Sequence, residues 1–325
     1  MTRILATVLG IAALAVAVVA LAARHLPITG HATMIVAVAA PFSSVAAPVA
    51  MLTLAISRRW VMTLVAVVVT LATLWVYVPR YLGPPDPDVP AVDVRVLTAN
   101  LGMGQADSEA FVAEANASAD VVAVQEMTQE AADGLSAAGI DATFPYRVIL
   151  PAPVASGIGI WSRHPIVHSG RIDGYSLPML GTRIRIPGVA VDTTVLSVHL
   201  AAPWPQPIWH WKNDIEAFPE TLRDMADRAG AGAVIVAGDF NSTADMAPFR
   251  ALLNEGYEDV SLQAGGGTAR TYPGRGKIPP LIGIDHILVR NATASSTRAV
   301  DVPGADHRAL LATVRVPVDI TGSGR

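Results

Sequence analysis

Three long apolar runs without a charged side chain dominate the first 82 residues. They extend over residues 4–23, 32–56 and 60–78. About 18 to 20 apolar residues suffice for a helix to cross the hydrocarbon core of a bilayer. Inside a bilayer every backbone amide must be hydrogen-bonded by protein, which restricts spanning segments to helices and closed barrels. The pattern therefore predicts a membrane domain, residues 1–82, with three transmembrane helices.

Two of these runs leave an alternative open. Pro41 and Pro48 lie inside the second run, where they allow a kink or a re-entrant break. The first run is also compatible with a secretory signal peptide, because Leu21-Ala-Ala23 resembles a small-residue cleavage site. Two further apolar runs follow in either case, so the chain is predicted to be embedded in a membrane.

The arginines that flank the runs give a narrow preference for one orientation. Because positively charged residues favour the cytoplasmic side, the amino terminus is predicted to lie inside the cell. The inner arginines are then Arg3, Arg58 and Arg59, against Arg24 and Arg80 outside. This orientation predicts a multi-pass protein of the cell membrane whose large carboxy-terminal part lies outside the cytoplasm.

Residues 83–90 are rich in proline and aspartate, a composition typical of stiff linkers between domains. The next residues, 91–318, have the length of one α/β domain, and residues 319–325 are predicted to be a tail.

The first 90 residues hold five of the 23 basic and two of the 27 acidic residues, so the remainder is acidic by about seven charges. Nucleic acid is therefore the less favoured partner, because proteins that grip it carry a basic footprint. Nothing in the sequence indicates a protein partner.

Short β-branched runs alternate with amphipathic segments across residues 91–318, which predicts an α/β domain. The predicted strands are residues 92–99, 121–125, 146–150, 157–162, 182–186, 189–199, 233–237, 284–289 and 310–317. The predicted helices are residues 108–117, 129–138, 211–228 and 246–255.

Polar side chains recur where these strands end. Asp239 and Asn241 follow one strand and share a face of the chain, where a carboxylate and a carboxamide can bind a metal and a phosphate together. An Asx turn is the structural alternative. Each of the other polar groups at strand ends also has an ordinary structural explanation when taken singly. They are Asn100, Glu126 and His199, followed later by Asp285 and the pair Asp306-His307.

The order of seven motifs resembles the endonuclease/exonuclease/phosphatase superfamily, which includes deoxyribonucleases and neutral sphingomyelinases. The motifs are Leu97-Thr-Ala-Asn-Leu101, Val124-Gln-Glu126, Gly159-Ile-Trp-Ser-Arg-His-Pro165, Ser197-Val-His-Leu200, Gly238-Asp-Phe-Asn241, Ile284-Asp-His-Ile287 and Asp306-His307. The resemblance extends from about Val94 to Val316 and leaves the membrane segment outside. It implies a four-layer α/β sandwich, in which two mainly antiparallel sheets pack face to face, with helices outside and a metal site at one edge.

The resemblance implies a metal site of three residues. Glu126 would be the principal Mg²⁺ ligand, Asn100 would help to hold metal or phosphate, and Asp306 would complete the site. Hard oxygen ligands suit Mg²⁺, with Mn²⁺ as the alternative, and do not suit zinc.

Five further residues receive catalytic roles from the same resemblance. Asp239 would orient or deprotonate the attacking water, and Asn241 would hydrogen-bond the phosphate. His307, steered by Asp285, would stabilise the transition state or serve as acid or base. His199 would contact the phosphate or assist the leaving oxygen. Hydrolysis of a phosphodiester needs each of these functions.

Three features are interpreted outside this set. We predict that Arg163 makes structural pairs rather than clamping phosphate. His286 directly follows an active-site residue and is predicted to point to the opposite face of its strand. The loop 201–211 either packs on the domain or forms a rim that faces substrate or dips into a membrane. Its tryptophans are Trp204, Trp209 and Trp211.

Together these features predict a membrane-anchored, Mg²⁺-dependent phosphoesterase. The favoured hypothesis is a phosphodiesterase that hydrolyses a phospholipid, a lipid-linked or another small phosphoester outside the cytoplasm. A membrane-tethered nuclease is the alternative enzyme. The alternative outside enzymes is a non-catalytic membrane scaffold, which would not need the full set of polar strand ends.

Overall fold

The computed structural model describes residues 2–83 and 89–319. Most of the predicted linker and tail, residues 84–88 and 320–325, lies outside the described residues. The described chain divides into two compact units. One contains the residues up to Leu82 together with Ala244–Arg250, and the other contains the rest.

The first unit consists mainly of apolar helices. They are α1 (Thr2–Ala23), α2 (His31–Ser43), α3 (Ala46–Ile56) and α4 (Trp60–Tyr77), which a 3₁₀ turn extends to Tyr81. Among the described residues, α1 and the stretch Trp60–Tyr81 are each long and apolar enough to cross a membrane. The second run is broken, because α2 and α3 meet at a bend of 61°. The expected kink is thus present just after Pro41, and the pair adds a third span only if it crosses as one segment.

The second unit contains two six-stranded sheets. The first has the order β11-β12-β1-β2-β4-β3 and the second β5-β6-β7-β8-β10-β9. The strands are β1 (Ala91–Asn100), β2 (Val121–Gln125), β3 (Tyr146–Leu150), β4 (Ile158–Ser162), β5 (Ile166–Ile172), β6 (Met179–Ile184), β7 (Thr193–His199), β8 (Val234–Asp239), β9 (Glu258–Asp259), β10 (Asp285–Arg290), β11 (Thr293–Val300) and β12 (Ala309–Pro317). Each sheet is mixed, because β1 and β2 run parallel in the first and β7 and β8 run parallel in the second.

Helices flank both sheets, which confirms the α/β sandwich. They are α5 (Ser108–Ser118), α6 (Gln129–Ala137), α7 (Ile140–Thr143), α8 (Ile208–Ala229) and α10 (Val260–Gln263). A further short helix, α9 (Ala247–Leu253), begins among the residues of the first unit. Strand β1 shows how alternation builds two cores. Val94 and Val96 join the cluster between the sheets, whereas Leu97 and Ala99 pack with Phe111 and other residues under the helices.

Three strands are absent from the sequence-based prediction. The two-residue strand β9 was missed, and so were the longer strands β5 and β11, which lie at the edge of their sheet. Their side chains are mostly exposed or half-buried, so no buried face imposes an apolar alternation on the sequence. Two predicted strands shift or shorten to Met179–Ile184 and Thr193–His199, and the long amphipathic helix begins earlier than predicted, at Ile208.

The strand pairing brings the polar ends together. In the first sheet, Asn100 is paired in register with Gln125, next to Glu126. In the second sheet, Asp239 is paired with His199 on one side and with Asp285 on the other. The parallel pair in each sheet therefore places its carboxyl ends at one edge of the sandwich.

Candidate active site

Asp239 lies at the centre of the polar cluster and is 1% exposed. The amide Nδ2 of Asn100 donates to Asp239 Oδ2 at 3.0 Å and to Glu126 Oε1 at 3.1 Å. Asn100 and Asp239 belong to different sheets, so this carboxamide joins the two halves of the site. Burial raises the pKa of Asp239 to about 6, against the opposing effect of His307.

Glu126 reaches the cluster from a left-handed backbone position, with φ of 57°. Its second oxygen, Oε2, accepts a hydrogen bond from the backbone N–H of Met103 at 2.7 Å. Burial raises the pKa of Glu126, although the bonds from Asn100 and Met103 oppose that rise. The carboxylate is thus held at both oxygens by donors that leave its remaining lone pairs for a cation.

His307 and Asp285 form a buried pair. Nδ1 of His307 donates to Asp285 Oδ2 at 2.9 Å, and Nε2 lies 3.9 Å from Asp239 Oδ2. Burial alone would lower the pKa of His307, but the Asp285 and Asp239 carboxylates outweigh it and raise that pKa to about 10. The ring is therefore positively charged at neutral pH and faces Asp239.

His199 has the opposite electrostatic character. Its Nδ1 lies 3.2 Å from the carbonyl oxygen of Ala155, which can only accept, so this nitrogen carries the hydrogen. Nε2 then faces Glu126 Oε1 and Asp239 Oδ2, each at 3.7 Å. Burial lowers the pKa of His199, which favours a neutral ring whose Nε2 lone pair points into the site.

Asn241 occupies a left-handed turn, with φ of 47°. Its backbone N–H donates to Asp239 Oδ1 at 2.8 Å, the geometry of an Asx turn. Its side-chain Nδ2 donates to the carbonyl of Leu200 at 2.9 Å. The Asx turn is thus present, and it places Asn241 beside Asp239.

Asp306 approaches the same cluster from the loop before β12. Its Oδ1 lies 3.0 Å from the place where a Cβ on Gly102 would stand, and Gly102 has a positive φ of 59°, so glycine is favoured there. The Asp306 charge raises the pKa of both Glu126 and His307, although it is a minor cause in each case. All eight residues predicted for the site thus lie together at one edge of the sandwich.

The chemistry of these side chains fits a divalent cation. Glu126, Asp239, Asp285 and Asp306 contribute carboxylates to the cluster, and Oδ1 of Asp285 is buried without a hydrogen-bond partner among the described residues. One oxygen of Asp239, one of Asp285 and a His307 nitrogen lie within 4.8 Å of one another. Oxygen-rich sets of this kind suit Mg²⁺ or Mn²⁺.

The orientation of Asn100 differs from the role as metal ligand that the resemblance implies. Its Oδ1 accepts from the backbone N–H of Gly102 at 2.9 Å, while its Nδ2 faces the carboxylates. In this arrangement Asn100 donates hydrogen bonds to the groups that surround a cation. Its carboxamide oxygen accepts one hydrogen bond and keeps a second lone pair.

Two contributors to the site were missed from the sequence, the backbone groups of Met103 and Ala155. Met103 lies between Gly102 and Gly104 in a loop where all three residues have positive φ. The Gly-Met-Gly pattern directly after Asn100 was the available signal for a loop that turns its N–H groups inward. No comparable signal precedes Ala155.

The features set apart from the site behave largely as predicted. Arg163 donates to the carbonyls of Ala119 and Asn116, which confirms a structural role. His286 contacts Asp259 and Ser242, away from the cluster. The three tryptophans divide between the two interpretations: Trp211 is fully buried, whereas Trp204 and Trp209 are 70% and 54% exposed.

Sequence comparisons find a matching family model and curated relatives. A model described as the Endonuclease/Exonuclease/phosphatase family matches residues 97–316. The uncharacterized protein YbhP of Escherichia coli (strain K12) is 28% identical over 169 residues, which are 49% of this chain and 63% of YbhP. The match thus covers less than two thirds of that relative.

Solved structures share the fold at low identity. An endonuclease/exonuclease/phosphatase from Bacteroides vulgatus superposes with a TM-score of 0.55 at 16% identity, over 69% of this chain and 99% of its own. A humanized TDP2 of D. rerio has the same score and identity, over 68% and 98%. A 3′ phosphatase, NExo from Neisseria, bound to a product DNA hairpin, has a TM-score of 0.51 at 18% identity, over 67% and 98%.

Proposed function

The chain belongs to the endonuclease/exonuclease/phosphatase family, and we propose that it is a membrane-anchored phosphodiesterase that depends on Mg²⁺ or Mn²⁺. Its proposed substrate is a phospholipid, a lipid-linked or another small phosphoester outside the cytoplasm. The observation that carries the proposal is the convergence of Glu126, Asp239 and His307 around the carboxamide of Asn100. Members of the family are phosphoester hydrolases, and this cluster supplies the groups that such a reaction requires.

Hydrolysis of a phosphoester needs an activated water, neutralisation of the phosphoryl oxygens and help for the departing oxygen. In the proposed reaction Asp239 accepts the proton of the attacking water. Protonated His307, oriented by Asp285, stabilises the negative charge that develops on the phosphoryl group. His199 faces the phosphate or the leaving oxygen with Nε2, which donates a hydrogen bond there only after it has taken up a proton. Asn241 holds the phosphate.

Two residue sets are candidates for holding the cation. The Asp239, Asp285 and His307 group has the tighter geometry, but a protonated His307 cannot serve as a ligand. We therefore favour Glu126 with Asp306, which leaves Asp239 and His307 for proton transfer and charge stabilisation. The bound cation would neutralise charge on the phosphoryl oxygens.

Activity is expected to follow a bell-shaped pH profile. The Asp239 carboxylate, the form that accepts a proton, is lost as pH falls through about 6. The charged form of His307 is lost as pH rises through about 10. Initial rates at saturating Mg²⁺ from about pH 5 to about pH 11 test this expectation. A rate that stays flat from about pH 5 to about pH 8 would contradict the role of Asp239.

Removal of divalent cations is expected to abolish hydrolysis. The full-length protein in detergent is assayed with bis(p-nitrophenyl) phosphate in Mg²⁺, after EDTA, and after EDTA with excess Mg²⁺ or Mn²⁺. We expect EDTA to remove the activity and either cation to restore it. Full activity in EDTA would refute metal dependence, and an absence of turnover on every phosphoester tested would favour the scaffold alternative.

Two observations about the second unit support a lipid substrate. The domain is acidic, whereas nucleic-acid-binding surfaces are usually basic. Trp204 and Trp209 project from the loop after His199, and tryptophan favours the interface of a bilayer.

The second candidate is a nuclease or a phosphatase of nucleic-acid ends, because one structure of the same fold is a 3′ phosphatase with product DNA. Head-group release from mixed vesicles and nicking of plasmid DNA separate the two candidates.

The proposed topology makes its own prediction. A reporter pair of alkaline phosphatase and green fluorescent protein is fused in turn after Val318. With the amino terminus inside and three spans, the phosphatase fusion is expected to be active and the fluorescent fusion dark. The same fusions after Ser57, between the second and third runs, are expected to show the reverse pattern. Fluorescence after Val318 would place the domain in the cytoplasm and overturn the extracytoplasmic assignment.

A further inference from the structure

His286 is a buried histidine that the proposed reaction does not use. It follows Asp285 on β10 and is only 5% exposed. Because successive strand residues point to opposite faces, Asp285 turns toward His307 while His286 turns away from the site. Its ring lies against Phe240, with a centroid distance of 5.6 Å and near-perpendicular planes.

Both ring nitrogens of His286 meet oxygen atoms. Nδ1 lies 2.6 Å from Asp259 Oδ2, and Nε2 lies 2.8 Å from the carbonyl oxygen of Ser242. A backbone carbonyl has no hydrogen to give, so Nε2 must donate to Ser242. Nδ1 is left to the carboxylate, and the short distance indicates a charge-assisted bond. The ring is thus fixed in place between Asp259 and the segment that follows β8.

The bonded carbonyl belongs to the residue directly after Asn241. Asn241 is held in a left-handed conformation, which side-chain-bearing residues rarely adopt without support from their surroundings. A second donor grips the same residue, because Trp211 Nε1 donates to the hydroxyl of Ser242 at 3.0 Å. The turn that carries Asp239 and Asn241 is therefore anchored at Ser242 from behind.

We propose that His286, backed by Asp259, is a positioning residue of the active site: its hydrogen bond to the Ser242 carbonyl fixes the turn that aims Asp239 and Asn241. The strand β10 then serves the site from both faces. Asp285 orients His307 on one face, and His286 orients the opposing turn on the other. The part of this inference that concerns catalysis rests on the proposed function, whereas the part that concerns the turn does not.

The test compares three substitutions in the full-length protein in detergent. His286→Phe removes both donors, Asp259→Asn keeps an acceptor but removes its charge, and His286→Gln keeps one amide donor near Ser242. His168→Gln, on the exposed strand β5, is the matched control. Each variant is measured by hydrogen exchange at Phe240 and Asn241, by kcat and KM for the phosphodiester, and by melting temperature.

For His286→Phe we expect exchange at Phe240 and Asn241 to rise at least about tenfold while β1 exchanges as before. We expect kcat to fall about 10- to 100-fold, the usual effect of losing an outer-shell partner, with KM within about threefold. His286→Gln should recover much of kcat, and His168→Gln should match the wild type. A lower melting temperature with unchanged exchange and kcat at 25 °C would show a purely structural histidine and overturn the proposal.

Two further outcomes are informative. If His286→Phe does not fold, Asp259→Asn carries the test, and unchanged exchange at Asn241 in that variant would overturn the positioning role of His286. If the wild type hydrolyses no phosphoester but exchange still rises in the variants, the role of His286 in fixing the turn stands and the proposed function fails.

Discussion

Glu126→Gln is expected to lower kcat/KM about 1,000-fold. The substitution preserves the size of the side chain and an acceptor for Asn100 Nδ2, but it removes the charge that would hold the divalent cation. A bound cation contributes several kcal/mol of charge stabilisation, and each decade of rate corresponds to about 1.4 kcal/mol. The measurements are kcat/KM at saturating Mg²⁺ and the Mg²⁺ affinity by calorimetry, which is expected to weaken in parallel.

Glu130→Gln is the matched control, because Glu130 is an exposed glutamate four residues further along, on α6. It should leave both quantities unchanged. Wild-type Mg²⁺ affinity in Glu126→Gln would assign the cation to other residues, and the Asp239, Asp285 and His307 group would then be the first alternative.

Asp239→Asn is expected to have the second large effect, a fall in kcat of about 1,000- to 10,000-fold. The carboxamide cannot accept a proton from water, and proton transfer by a positioned group contributes about 100- to 10,000-fold. The loss of a negative charge beside His307 and His199 adds to the defect. KM is expected to change much less than kcat.

The pH profile of the residual activity distinguishes this role from a general loss of structure. In Asp239→Asn the acid limb near pH 6 should disappear, while the alkaline limb assigned to His307 remains, at a lower pH because one of the carboxylates that raise the His307 pKa is gone. Asp192→Asn removes the charge of a half-buried aspartate that pairs with the exposed Arg185, outside the cluster, and controls for loss of an ordinary aspartate. If the acid limb persists unchanged in Asp239→Asn, another group must be the base that accepts the proton.

Much of the candidate site was predictable because most of its polar residues lie at or directly after the end of a strand, where the sequence itself shows them. An apolar run predicts a buried strand, and a polar residue directly after such a run, as with Glu126, or at its end, as with Asp239, indicates a candidate site residue. Parallel pairing then brings such ends to one edge of the sheet. The positions of these residues along the chain therefore predict that their side chains lie close together in the fold.

The unpredicted parts depend on contacts between distant segments or on positions with weak constraints. The orientation of the Asn100 carboxamide is set by carboxylates on two sheets and by the N–H of Gly102. The sequence around Asn100 does not predict these contacts. The edge strands β5 and β11 carry no apolar alternation, because the side chains on both of their faces are mostly exposed or half-buried. The break between α2 and α3 was foreseeable from Pro41, but its bend of 61° depends on how the helices pack.

The contact from Asn100 to Asp239 links side chains that belong to separate sheets. Beneath it, Gln125 Nε2 donates to Ser197 Oγ at 3.0 Å, a second polar bridge across an otherwise apolar interface. The spacing of the two sheets therefore sets the distance between these side chains. Substitutions that change the volume of side chains between the sheets would alter the spacing of Asn100 and Asp239 as well as the stability of the domain.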